Sequence, residues 1–269
     1  MNIKLIIFDF DGTIMDTKKT IVVSKQETLR QMGLDVAEEQ ACADTIGMSA
    51  KIGFQKLCPE LSDDMIDLCM KKYREIFDET KKTIPPLLFP NMIETLNRLN
   101  EKGIVCTIAT SRGRDSLLGF LESMNIAKYF SYLLAAEDTT LHKPNAEPVK
   151  KTLNELSYNA QDTLVVGDMP FDILMGKNAG VYTCGVTYGV SGKNSLLEAG
   201  APEAMFRVES VAFSSTLMVS TCPLATPMLD LGVRFVTSLT LPARLRERPS
   251  SPSRAILLRP YPAGVRSSR

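Results

Sequence analysis

The sequence has a single histidine, His142, no C-x-x-C pair, and no apolar run approaching the ~20 residues that a membrane-spanning helix needs. The missing run leaves no membrane partner to expect. The early apolar stretch is interrupted by Asp9 and Asp11, so a signal peptide is not expected either. The lack of cysteine pairs excludes a thiolate zinc site. The wide spacing of Cys42, Cys58, Cys69, Cys106, Cys184 and Cys222 points to a reducing cytoplasm. An excess of one charge is also missing, with 31 basic and 31 acidic residues. A chain of 269 residues that is 44% hydrophobic excludes a disordered, collagen-like or disulfide-dense protein. It is long enough for one large domain or two modest ones.

That zero balance hides two compositions. Residues 1–209 carry 23 Lys and Arg against 29 Asp and Glu, whereas residues 210–269 carry eight Arg, no Lys and two acids. The same final segment holds seven of the fifteen prolines. A flexible basic extension is the plain reading. Clustered arginines with interleaved aromatics are lacking, so nucleic acid is not expected as a partner. Departure from an ancestral reading frame near residues 205–215 would explain the loss of lysine, the charge reversal and the prolines together. On that reading the segment from about residue 212 is expected to be largely unordered, and the strand and helix that should close the domain are missing.

Short apolar runs at residues 3–8, 104–109, 132–136, 163–166 and 181–186 read as buried strands. Helical patterns at 92–99, 117–124, 149–156 and 173–179 lie between them, two of them closed by Gly103 and Gly180. This alternation predicts an α/β fold, a Rossmann-like parallel sheet flanked by helices. In such sheets polar chemistry gathers at the carboxyl ends of the strands. Residues 17–84 lack strand patterns and read as several helices, one over 17–32 and a long one over 62–80, before prolines 85, 86 and 90 break the pattern. The predicted organisation is therefore a core of residues 1–15 and 86–209, a helical cap of residues 16–85, and the atypical tail after 209.

Three predicted strands end in polar residues that one sheet edge would bring together: Asp9 and Asp11, Thr110, and Asp168 with Asp172 four residues on. Several carboxylates drawn together raise one another's pKa unless a cation holds them, and oxygen ligands of this kind suit Mg2+. Thr110 and Lys143 would complete a pocket for a phosphoryl group.

Four segments carry a resemblance: Asp9-Phe10-Asp11-Gly12-Thr13, Ile108-Ala109-Thr110, Lys143-Pro144 and Gly167-Asp168-Met169-Pro170-Phe171-Asp172. In this order they resemble the four motifs of the haloacid dehalogenase superfamily, over roughly residues 1–209. A helical insert just after the first motif is similar to the phosphoglycolate-phosphatase-like branch. The resemblance implies an Mg2+-dependent phosphatase acting on a small phosphorylated metabolite. Asp9 would be the nucleophile that forms an aspartyl-phosphate, and Asp11 the acid and base. Asp9, Asp168 and the main-chain carbonyl of Asp11 would hold Mg2+, and Asp172 would orient metal-bound water. Thr110, Ser111 and Lys143 would bind phosphate. Asp11 favours phosphate chemistry, since dehalogenases lack an acid there.

Arg112 and Arg114 could face a substrate anion or pair with Asp115 or Glu137, and His142 reads as a surface or supporting residue. A phosphosugar mutase of the same superfamily is the main alternative. The histidine expected five residues after Asp16 is Ile21, and the expected Gly-x-Ser-Arg of its cap ends in Ala50, so water is the better acceptor. A receiver-type signalling domain would carry its phosphorylated Asp on a middle strand and lacks a large insert after the first. A catalytically impaired product is the remaining alternative. The individual substrate and the oligomeric state stay open.

Overall fold

A computed structural model describes residues 3–202, so the expectations for the tail lie outside the described residues. Five strands form one parallel sheet: β1 (Leu5–Phe8), β4 (Val105–Ala109), β5 (Phe130–Leu134), β6 (Thr163–Gly167) and β7 (Tyr182–Gly185). Their order is β5-β4-β1-β6-β7, with every pairing parallel. The β1 residues show why the run is apolar throughout. Ile6 and Phe8 point into one core layer and Leu5 and Ile7 into another, as the two-residue period of a strand requires.

Helices cover both faces. On one side α5 (Met92–Glu101) and α6 (Arg114–Ser123) bury Met92, Leu96, Leu99, Leu117, Phe120 and Leu121 against Ile6, Ile108 and Val166. On the other, α7 (Glu147–Leu156) and α8 (Pro170–Asn178) contribute Val149 and Met175 beside Leu5, Ile7 and Val165. The chain leaves β1 towards β4 and β5, then crosses to β6 and β7 on the far side. Ligand crevices of open α/β sheets form where the strand order reverses in this way. A short helix missed by the sequence pattern, α9 (Lys193–Glu198), packs Leu196 against Ile173 of α8.

The insert after β1 is helical, with α1 (Lys18–Gln31), α2 (Glu39–Ala43), α3 (Ala50–Leu57) and α4 (Asp63–Thr83). Ser49 and Ser62 accept backbone N–H bonds at the starts of α3 and α4. Asp63 and Asp64 at the start of α4, with Lys81 and Lys82 at its end, complement the helix dipole. The insert is bracketed by a feature that the sequence did not reveal, an antiparallel pair of two-residue strands, β2 (Met15–Asp16) and β3 (Leu87–Leu88). Two residues per strand are too few to show a period. Among the described residues no helix is long and apolar enough to cross a membrane.

Ile6 is fully buried at the centre of the sheet, in register with Cys106 and Leu164 on the strands to either side. Ile6→Ala is expected to lower the unfolding free energy by about 2–5 kcal/mol, read as a shift of the urea midpoint with an unchanged slope. A loss below about 1 kcal/mol would mean that this layer is not the packed centre of the fold.

Candidate active site

At the carboxyl edge of the sheet, β1 delivers Asp9, β4 delivers Thr110 and β6 delivers Asp168, with Asp172 in the first turn of α8. Asp9, Asp168 and Asp172 are all buried, and one oxygen of each lies within 4.8 Å of the others. Lys143, from the loop before α7, inserts between two of them. Its Nζ donates to Asp9 Oδ1 and to Asp172 Oδ1, each at 2.6 Å. Burial works against the Lys143 charge, but Asp172 and Asp9 outweigh it and hold the ammonium above its ordinary pKa.

One ammonium cannot balance three carboxylates. Burial, opposed by Lys143 and reinforced by the charges of Asp172 and Asp11, pushes Asp9 up to about 7. Asp168 is raised well above the usual carboxylate range by burial and by the charges of Asp9 and Asp172. Each of its oxygens nonetheless accepts one hydrogen bond, Oδ1 from Thr13 Oγ1 at 3.1 Å and Oδ2 from the Val190 amide at 2.7 Å, which leaves further lone pairs on both. Asp172 Oδ2 accepts from the Met169 amide at 3.0 Å, so this residue both ties down the start of α8 and holds Lys143. Asp9 Oδ2 is the exception, a buried oxygen with no hydrogen-bond partner. A surplus of negative charge and an unused oxygen are what a bound cation would satisfy.

The backbone accommodates this crowding through glycine. Gly12 has φ +86°, and a Cβ there would stand 2.2 Å from Asp168 Oδ2. Gly167 lies equally close to Asp172, with 2.3 Å between a hypothetical Cβ and its carboxylate.

Thr110, Ser111, His142 and Lys143 line a small pocket beside the carboxylates. Thr110 Oγ1 accepts from the Arg112 amide at 3.1 Å, and Ser111 Oγ donates to the Gly47 carbonyl of the insert at 2.6 Å. Asp11 does not join the carboxylate cluster. Both its oxygens are taken by Arg112, through Nε at 3.0 Å and Nη2 at 2.6 Å. The guanidinium lies 4.9 Å from the ring centres of Phe77 in α4 and Phe120 in α6, and donates to Ser116. The expected pairing of Arg112 with Asp115 or Glu137 is therefore corrected: its partner is Asp11, because the loop after β4 turns back over the loop after β1. Arg114 instead pairs with Asp138, while its amide donates to Glu137.

Thr13 belongs to the first motif but the sequence assigns it no role, and sequence reasoning does not single out Tyr188 or Val190; these residues brace Asp168 directly or through the Thr13 carbonyl. The loop after β7 carries no acid or base, and it contributes the Val190 amide and the Tyr188 hydroxyl, which donates to the Thr13 carbonyl at 3.0 Å.

A family model described as haloacid dehalogenase-like hydrolase matches residues 6–186. The chain belongs to this family. A Clostridium perfringens relative carrying the PpaX name is 35% identical over 187 residues, covering 69% of this chain and 85% of that protein. A Vibrio cholerae protein named phosphoglycolate phosphatase is 29% identical over 195 residues, covering 70% and 86%. Among solved structures, a haloacid dehalogenase-like chain from Bacteroides fragilis superposes with a TM-score of 0.70 at 26% identity, covering 77% of this chain and 96% of that one.

In this haloacid dehalogenase-like site a protonated Asp9 competes with any cation, so affinity is expected to rise as pH increases through about 7. Calorimetry with Mg2+ should show about tenfold tighter binding at about pH 8 than at about pH 6, with about one proton released at the lower pH and almost none at the higher. Affinity that is flat across this window, with no proton released, would contradict the assignment.

Proposed function

We propose that this hydrolase is an Mg2+-dependent phosphatase that cleaves a small phosphomonoester through an aspartyl-phosphate on Asp9. The observation that carries the proposal is Asp9 itself. One of its oxygens is fixed by Lys143 and the other is buried without a partner, at the end of the central strand. A carboxylate held in this way is oriented for attack and loses little freedom on reacting.

In the first step Asp9 attacks phosphorus, an O–P bond forms, and the ester P–O bond breaks. Asp11 gives its proton to the departing oxygen. In the second step water attacks the phosphoryl group on Asp9, Asp11 takes the proton, and phosphate leaves with Asp9 restored. Arg112 occupies both Asp11 oxygens, so each transfer requires Asp11 to leave the guanidinium. Lys143, Thr110 and Ser111 would bind the phosphoryl oxygens, and their place along one pocket supports that role.

The donor set fits Mg2+: carboxylate oxygens, a net negative charge and an unused buried oxygen on Asp9. Asp9, Asp168 and the main-chain carbonyl of Asp11 would hold it, with Asp172 close by. Bound there, Mg2+ would neutralise charge on the phosphoryl oxygens.

Residues 16–85 would act as the cap over this site. The β2–β3 pair at the base of the insert and the Ser111–Gly47 hydrogen bond across the two parts support that division. Ile21, which stands where the mutase pattern has histidine, is buried in the apolar core, which favours water as acceptor. The substrate would belong to the range that runs from phosphoglycolate through sugar phosphates to nucleotides, and two relatives carry names within or beside it. A cytoplasmic location agrees with the buried thiols Cys42, Cys58, Cys69 and Cys106, the last pushed up to about 12 by burial.

Phosphate release from a panel of phosphomonoesters tests the proposal. With Mg2+ the chain is expected to turn over at least one ester, and chelator or Asp9→Asn should each reduce the rate by about 10³-fold or more. Turnover that persists in Asp9→Asn, or no turnover by folded wild-type chain, would overturn it.

A further inference from the structure

Three cations are buried among the described residues, and two are accounted for. Lys143 pairs with Asp9 and Asp172, and Arg112 pairs with Asp11. The third, Lys25 of α1, is only 4% exposed and has no carboxylate partner among the described residues. Its ammonium carries three N–H donors. One of them meets the Thr45 hydroxyl, which directs its own proton to the Cys42 carbonyl at 2.7 Å and so serves Lys25 as an acceptor. Two donors of a buried ammonium are left with no partner among the described residues. That is a costly arrangement unless another group completes it.

The surroundings point towards the reaction site. On the same buried face of α1, Ser24 Oγ has no hydrogen-bond partner, nor does Thr17 Oγ1 at its N-terminal end. The turn that holds Lys25 through Thr45 reaches Gly47 two residues later, and Gly47 accepts the Ser111 hydrogen bond. A Cβ on Gly47 would touch Met169, the neighbour of Asp168, at 3.2 Å. Burial lowers the Lys25 pKa to about 8, and Asp11 is among the charges that act to keep it a cation.

We propose that Lys25 binds a second anionic group of the substrate, remote from the phosphoryl group that Asp9 attacks. The substrate is then a small phosphate ester bearing a carboxylate or a second phosphate, not the ester of a neutral alcohol. This inference rests on the phosphatase reading for its first anion, and it adds the chemistry of the other end. Lys25 supplies a charge-assisted hydrogen bond that a neutral tail cannot accept.

Binding of three inert phosphonates to the full chain with saturating Mg2+ tests it: phosphonoacetate, methylenebisphosphonate and ethylphosphonate. At least one of the two doubly anionic probes should bind about tenfold or more tightly than ethylphosphonate, and which one does identifies the second group. Lys25→Met should erase that preference while leaving ethylphosphonate affinity unchanged. Lys25→Gln, which retains a donor for Thr45, gives the same reading if the methionine variant fails to fold. The proposal is overturned by a wild-type chain that shows no preference or binds none of the probes. It is equally overturned by variants that weaken all three probes alike or keep the preference. Ester turnover separates the two readings: preference without turnover removes the phosphatase and leaves the anion site, and turnover without preference does the reverse.

Discussion

The ion pair between Lys143 and the Asp9–Asp172 carboxylates is what allows this sheet edge to exist. Three carboxylates converge where water is largely excluded, and burial resists the ionisation of Asp9 and Asp168 there. Lys143 answers part of that cost with two hydrogen bonds of 2.6 Å, and the amides of Met169 and Val190 with the Thr13 hydroxyl answer more. Removing one member of such a buried set leaves its partners uncompensated, which is why breaking a buried pair costs more than the pair contributes. The glycines at 12 and 167 are consequences of the same convergence, since a side chain at either place would occupy the space of a carboxylate.

A second ion pair joins two loops of the core and is covered by the insert. Arg112 holds Asp11 from the loop after β4, while Phe77 of α4 covers the guanidinium from the insert side and Phe120 from the core. The proposed acid and base is thus held by a residue whose packing includes the insert. Movement of α4 would loosen Arg112 and with it Asp11. In the proposed mechanism, proton transfer by Asp11 would then depend on a residue that the insert helps to hold.

Much of this was legible in the sequence because the relevant signals are local. Apolar runs such as Leu5-Ile6-Ile7-Phe8 and Thr163-Leu164-Val165-Val166 marked strands that are buried on both faces. The polar residues that follow them marked the working edge, and the motif order supplied Lys143, which no local pattern would have singled out. What stayed hidden depends on long-range contact. The Arg112–Asp11 pair joins residues 101 apart in the chain, and the bracing of Asp168 by Val190 uses a backbone amide that any residue but proline could provide. The β2–β3 pair was invisible because two residues cannot display a period. No sequence pattern sets Lys25 apart from the other charged residues of α1, and its burial follows from how α1, α3 and the Thr45 turn meet.

The central claim is that Asp9 carries the phosphoryl group. Quenching a reaction in progress with borohydride tests it most directly, because hydride reduces an acyl phosphate to the alcohol and leaves free carboxylates untouched. Peptide mass spectrometry should then find homoserine at position 9, only when substrate and Mg2+ are both present, with Asp11, Asp168 and Asp172 unchanged. Reduction at another aspartate, or steady turnover with position 9 left as aspartate under conditions that trap the intermediate, would contradict the role given to Asp9.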